Sequence, residues 1–115
     1  MIPLLQQLTK STLAPTTEAV APEKLISGAP VHTVWSAEEN DGLYCGIWQS
    51  TPGKWRISYD EWEYFRLTKG VSVITDAEGT ATTLQAGDAW LLRPGFSGTW
   101  EVLETTVKDY VILIR

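Results

Sequence analysis

From Val31 onward turn chemistry cuts the chain into short strand-like runs. Nowhere in that span does apolar spacing of three and four residues persist long enough for a useful helix. The runs read VHTVW, LYCGIWQ, KWRISYDEWEYFRLTKG, VSVIT, TATTLQ, AWLLRPG, SGTWEVLE and TTVKDYVILIR. Between them lie the turn signals SAEENDG, STPG, DAEG and AGD. Pro52 presets the first corner of its turn and Gly53 suits the positive φ that follows. Roughly eight to ten short β-branched and aromatic runs at regular spacing predict an all-β sandwich or barrel.

Residues 1–30 follow a different rule. Ser, Thr, Pro and Ala dominate STLAPTTEAVAPEKLISGAP, and Pro15, Pro22 and Pro30 interrupt any continuous helix or central strand. The expectation is an N-terminal arm over 1–30 laid on a folded domain at 31–115, with a short helical turn at Leu4 to Leu8. EKLISG carries enough apolar side chain to dock the arm; a disordered tail is the alternative.

The chain has 115 residues, the length of one domain, and a formal charge of −5 with no run of Lys or Arg. A phosphate backbone needs a basic face, so the charge weighs against nucleic acid and none is expected as a partner. No segment approaches the roughly 20 apolar residues that span a bilayer. The start MIPLLQQLTK lacks the basic opening and long apolar stretch of a signal peptide. Cys45 is the only cysteine, so no internal disulfide forms. It sits in an apolar run and is expected to be a buried small hydrophobe. With no contrary signal, a cytoplasmic protein away from membranes is the default expectation. The final run DYVILIR is apolar on both faces, so its second face needs a cover. The arm or a second copy could provide it, and a homodimer is expected.

Several local patterns occur together and in order: WQSTPGKW at 48–55, Glu63 ahead of Gly70, AGD at 86–88, PGFSGTW at 94–100, and Lys108 ahead of the last run. From Leu25 to Ile114 the chain resembles the cupins, specifically the small single-domain cupins of the ureidoglycine-aminohydrolase-like type. The resemblance implies a double-stranded β-helix, the jelly-roll barrel. Metal-bearing cupins present two histidines and a glutamate from one motif and a third histidine from another. Counted back from Glu63, the two histidine places fall on Ile57 and Tyr59; counted on from Gly95, the third falls on Gly98. Only the glutamate remains, and His32 matches neither motif. Isoleucine and glycine cannot ligate a cation, so no metal or other cofactor is expected. Relatives that act on ureido compounds or phosphoryl donors depend on metal, so those activities do not carry over.

Within that fold, alternation along the strand turns Ile57, Tyr59, Glu63, Phe65 and Leu67 inward, with Trp62, Tyr64 and Arg66 outward. Glu61 falls near a bend and is expected to reach water. Gly98, Trp100 and Val102 face inward from the second motif. An enclosed carboxylate must be paired, hydrogen bonded or protonated. Three roles are open for Glu63. It can organise the core by bonding Tyr59, a tryptophan N–H or Arg56. It can orient a ligand that carries an amine or hydroxyl. It can act as a general acid or base, with Tyr59 or Lys108 as the only titratable partners nearby.

The six tryptophans read first as barrel filling, with stacking on a ligand as the sharper alternative. The reading is a metal-free cupin that binds a small polar molecule in a cavity lined by Trp55, Tyr59, Glu63, Trp90 and Trp100. The alternatives are a metal-independent enzyme with Glu63 and Tyr59 as catalytic groups, and an interaction module whose outer sheet presents Trp62 and Tyr64.

Overall fold

The protein is described here from a computed structural model over residues 2–114. Among those residues nine strands form: β1 Pro15–Ala19, β2 Leu25–Gly28, β3 Val31–Asn40, β4 Leu43–Ser50, β5 Gly53–Ser58, β6 Trp62–Asp76, β7 Ala81–Gln85, β8 Ala89–Leu92 and β9 Ser97–Leu113. No helix among them is long and apolar enough to cross a membrane.

Two strands are far longer than their turn signals suggest. WEYFRLTKG and VSVIT run together as β6, and SGTWEVLE and TTVKDYVILIR run together as β9. Both bend instead of turning. The β6–β9 register slips between Leu67 and Ser72, and beyond the slip each long strand joins a different layer. Gly70 sits in the slip with φ +91, and a Cβ there would collide with the Thr105 carbonyl oxygen. A side chain at this position would force the bend open.

The pairings resolve into two layers that share β6 and β9. One runs β1, β3, β4, the second half of β9, the first half of β6, then β8. The other runs β2, β5, the first half of β9, the second half of β6, then β7. All pairings are antiparallel. The curled sheet is the jelly roll that the sequence leads one to expect. Between the layers, Trp55, Phe65, Leu67, Leu84, Trp100, Val102 and Tyr110 form one buried cluster.

The first 30 residues contribute two strands. The prolines there bar a central strand, and β1 and β2 are both edge strands, where a missing N–H costs no ladder bond. The helical turn expected at Leu4 to Leu8 is absent. Leu4 and Leu5 stand fully in solvent, so a turn there would bury no face and gain nothing from packing. A short 3-10 turn forms instead at Lys10–Thr12. Lys10 then lies 4.5 Å over the Trp35 ring and donates to Gln49 Oε1 at 3.0 Å. SAEENDG, read as a turn, is largely strand: β3 runs to Asn40 and only Asp41-Gly42 separate it from β4. Cys45 is half-buried, not buried.

Candidate functional site

Glu63 enters from β6, paired across the sheet with Ile112 on β9 and Leu92 on β8. Its side chain turns inward and is 1% exposed. Phe65 and Leu67 follow on the same face and are wholly buried, as period-two alternation requires. Lys108 lies on β9, directly across from Leu67 on one side and Trp48 on the other. It is also buried, at 4% exposure. The sequence reading placed this lysine ahead of the last strand; it lies well inside β9, on the inner face with Tyr110 and Ile112.

The two charges meet. Lys108 Nζ donates to Glu63 Oε2 at 2.8 Å, the only salt bridge among the described residues. Tyr59 Oη donates to the other oxygen, Glu63 Oε1, at 2.7 Å. The ammonium also stands 4.5 Å from the Trp100 ring centroid, 4.6 Å from Phe65 and 4.7 Å from Trp48. Aromatic faces at that range attract a cation, more strongly where water is excluded. Burying an ion pair costs several kcal/mol per ion unless hydrogen bonds and good geometry offset it. Here the phenol and three rings supply that compensation.

Burial is the main cause that pushes the Tyr59 phenol well above its usual range; the Glu63 charge and the hydrogen bond to Glu63 push the same way. Tyr59 is therefore a fixed donor at neutral pH. Of the partners considered for Glu63, Tyr59 is engaged, while Arg56 is exposed on the strand. The indole N–H groups of Trp90 and Trp100 are buried with no acceptor among the described residues.

The residues do not fit a metal. Among the described residues no group of three His, Cys, Asp or Glu side chains could hold one. Gly98, at the third-ligand place, lies against the neighbouring strand so closely that a Cβ would strike the Thr75 carbonyl oxygen. No ligating side chain can start from that backbone. A divalent ion beside Glu63 would also face the Lys108 ammonium across 2.8 Å.

Above the pair is a cavity of about 320 Å³. Val34, Tyr44, Trp48, Tyr110 and Ile112 wall it, while Tyr59, Glu63 and Lys108 supply its polar groups. Glu61 also lines it and is half-buried, accepting from the Asp60 N–H at 3.0 Å, where the sequence pointed it toward water.

Of the five residues expected to share one pocket, only Tyr59 and Glu63 line this cavity. Trp55 and Trp100 are parallel within 5° at 6.4 Å and belong to the packed core. Trp55 also lines a separate space of about 400 Å³ between the N-terminal segment and β5, which Tyr59 borders as well. Trp90 lines a third cavity, between β7 and β8. The single aromatic pocket thus divides, because one strand face is shared by more than one void. The sequence did not single out Trp48, Tyr44 or Tyr110. The signal was present: Tyr110 and Ile112 share strand parity with Lys108, and Tyr44 and Trp48 are four residues apart on β4. His32, which matches no motif, packs on Trp48 and Trp55 with ring centroids 5.1 and 4.6 Å away.

Residues 37–110 match the family profile of the EutQ-like cupin domain. The chain belongs to the EutQ-like cupin family. The cupin resemblance read from the motifs stands at that level; the match is to the EutQ-like group and does not reach the ureidoglycine-aminohydrolase-like type. Among solved structures, this cupin is similar to a protein of unknown function from Pseudomonas syringae pv. tomato, with a TM-score of 0.75 and 23% identity. That likeness covers 87% of this chain and 43% of the other. It is similar to the EutQ protein of Clostridium difficile, with a TM-score of 0.66 and 15% identity over 73% of this chain and 63% of that one. A putative ethanolamine utilization protein Q from Salmonella typhimurium gives the same TM-score and identity over 88% and 96%. The cupin thus spans under half of the first structure's length and under two thirds of the second's. At these identities the likeness is one of fold. Among curated proteins, none matches the chain.

Proposed function

We propose that this cupin is a metal-free binding protein for a small molecule with an apolar body and one uncharged hydrogen-bonding end. The observation that carries the reading is the neutral, internally paired Lys108–Glu63 couple bordering an otherwise largely apolar cavity. An ionised carboxylate offers about four acceptor sites, of which Tyr59 and Lys108 take one each. A hydroxyl or amide N–H entering the cavity can donate to those that remain. Glu61 on the same lining opposes an anionic ligand, while a neutral donor needs no counter-charge there. Trp48 and Tyr44 supply flat apolar surface for the ligand body.

The acid–base reading has less support. Tyr59 is held protonated, and both Glu63 oxygens are already bonded. The reactions associated with the ureidoglycine-aminohydrolase-like type need a metal set this chain does not carry. We further propose that the protein works in the cytoplasm as a homodimer, with the outer face of β4, β6 and β9 as the contact. Trp62, Tyr64, Val111 and Leu113 lie on that face.

The test is a thermal-shift and calorimetric screen of short alcohols, amides, ureides and amines. A ligand at 100 times its dissociation constant adds about 2.7 kcal/mol to stability. Binding of a neutral member that weakens at least tenfold in Trp48→Ala and Glu63→Gln is the expected result. A ligand unaffected by both changes, or a screen with no binder at all, overturns the assignment.

A further inference from the structure

The cavity between β7 and β8 is separate from the ion-pair site. It measures about 400 Å³, within the usual range for small-molecule pockets. Phe65, Ile74, Leu84, Leu92 and Phe96 provide apolar wall, and Phe65, Leu84 and Leu92 are core residues. Phe65 divides the two sites, since it also lies 4.6 Å from the Lys108 ammonium.

Two lining residues break the apolar pattern. Trp90 carries an indole N–H that is buried and has no acceptor among the described residues. A buried donor left unpaired is costly, and native proteins carry few of them. Arg93 is exposed, lines the cavity as its only charged residue, and its side chain forms no salt bridge or hydrogen bond among the described residues. An unengaged guanidinium is a ready partner for a carboxylate, which its planar fork can grip with two parallel bonds.

We propose that this cavity binds a monocarboxylate with an apolar body. The hydrocarbon or aryl part packs on Phe65, Leu84 and Leu92, and the carboxylate pairs with Arg93. A dianionic phosphate suits the site less well, because one cation in a largely apolar lining leaves its second charge unpaired. The indole N–H of Trp90 becomes a second donor if its ring tilts toward the bound acid. The inference is independent of the ligand proposed above the ion pair.

The probes are sodium octanoate and octan-1-ol, measured by calorimetry and by amide shifts in two-dimensional NMR at neutral pH. Octanoate is expected to bind one to one, at least tenfold more tightly than the alcohol, with the largest shifts in β7, β8 and Arg93 to Phe96. Arg93→Gln, an exposed and mild change, is expected to erase the preference while leaving alcohol binding in place. Thr82→Phe, which adds a ring at a half-buried lining position, is expected to weaken both. Trp48→Ala, in the other cavity, is expected to leave octanoate binding unchanged and to remove only alcohol bound above the ion pair. Equal affinity for the two probes, no binding at millimolar octanoate, or shifts centred on Tyr44 and Tyr110 would each overturn the proposal. So would self-association that octanoate disperses and that removal of residues 2–9 abolishes, since Leu4 and Leu5 of a second copy would then be the occupant.

Discussion

Lys108 and Glu63 are 45 residues apart in sequence, yet their charged ends meet at 2.8 Å inside the barrel. β9 carries the lysine and β6 the glutamate, and the long β6–β9 ladder fixes their spacing before either side chain chooses a rotamer. The cation beside Glu63 is therefore a side chain that the fold itself supplies.

Breaking that pair is expected to be expensive. Glu63→Gln and Lys108→Met each strand a buried charge, and each should cost about 3–5 kcal/mol. The double variant buries no charge and should recover a large part of the combined loss. Chemical denaturation of all four proteins, analysed as a double-mutant cycle, checks this. Strictly additive losses would show that the two side chains do not interact.

His32 gives a second handle. Burial, chiefly, holds its imidazole below the usual value of 6.5; the Glu18 charge opposes this and the Lys108 charge adds to it. With the folded value lowered, the unfolded chain binds the proton more readily. The stability this group contributes is present above about pH 6.5 and is lost as pH falls through the lower folded value. His32 is the only histidine, so its ring protons titrate as one resolved set in NMR. Their midpoint is expected below 6.5, and His32→Phe is expected to flatten the loss of stability between pH 7.5 and 5.5. A midpoint at or above 6.5 would contradict this.

Gly98→His restores the histidine of the second cupin motif on paper. Its Cβ would meet the Thr75 carbonyl, so the strands must separate. The variant is expected to lose at least about 2 kcal/mol, in the range of overpacked core changes. It should gain no zinc or nickel affinity by calorimetry. A stable variant that binds either ion would show that the neighbouring strand yields.

If the outer sheet face joins two copies, the 12.8 kDa chain should sediment at twice that mass at micromolar concentration. Tyr64→Asp should return it to the monomer. A monomer at all concentrations would place Trp62 and Tyr64 at an ordinary solvent face.

Much of the architecture was legible from local chemistry. Turn signals and strand runs gave the all-β class, and alternation around Glu63 turned Phe65 and Leu67 inward as found. Two kinds of feature were not legible. Gly70 looks like a corner in sequence, but it sits in a bulge that lets β6 continue, so the long strands read as pairs of short ones. Lys108 reads as a polar break before an apolar run, because a lone lysine normally marks a solvent face. Its burial is tolerable because Glu63 pairs with it and Trp48, Phe65 and Trp100, drawn from three separate strands, surround its ammonium. The division of the voids was hidden for a similar reason. Trp55, Trp90 and Trp100 all lean toward the interior, but strand parity does not say which side of Phe65 a ring will occupy.

The central claim is that Lys108 and Tyr59 satisfy Glu63, leaving no place for a metal. The most direct measurement is metal analysis of the protein after incubation with Mn²⁺, Fe²⁺, Ni²⁺ and Zn²⁺ and removal of free ions. No ion is expected to remain at a stoichiometric level. One equivalent retained by the native protein and lost in Glu63→Gln would contradict the claim.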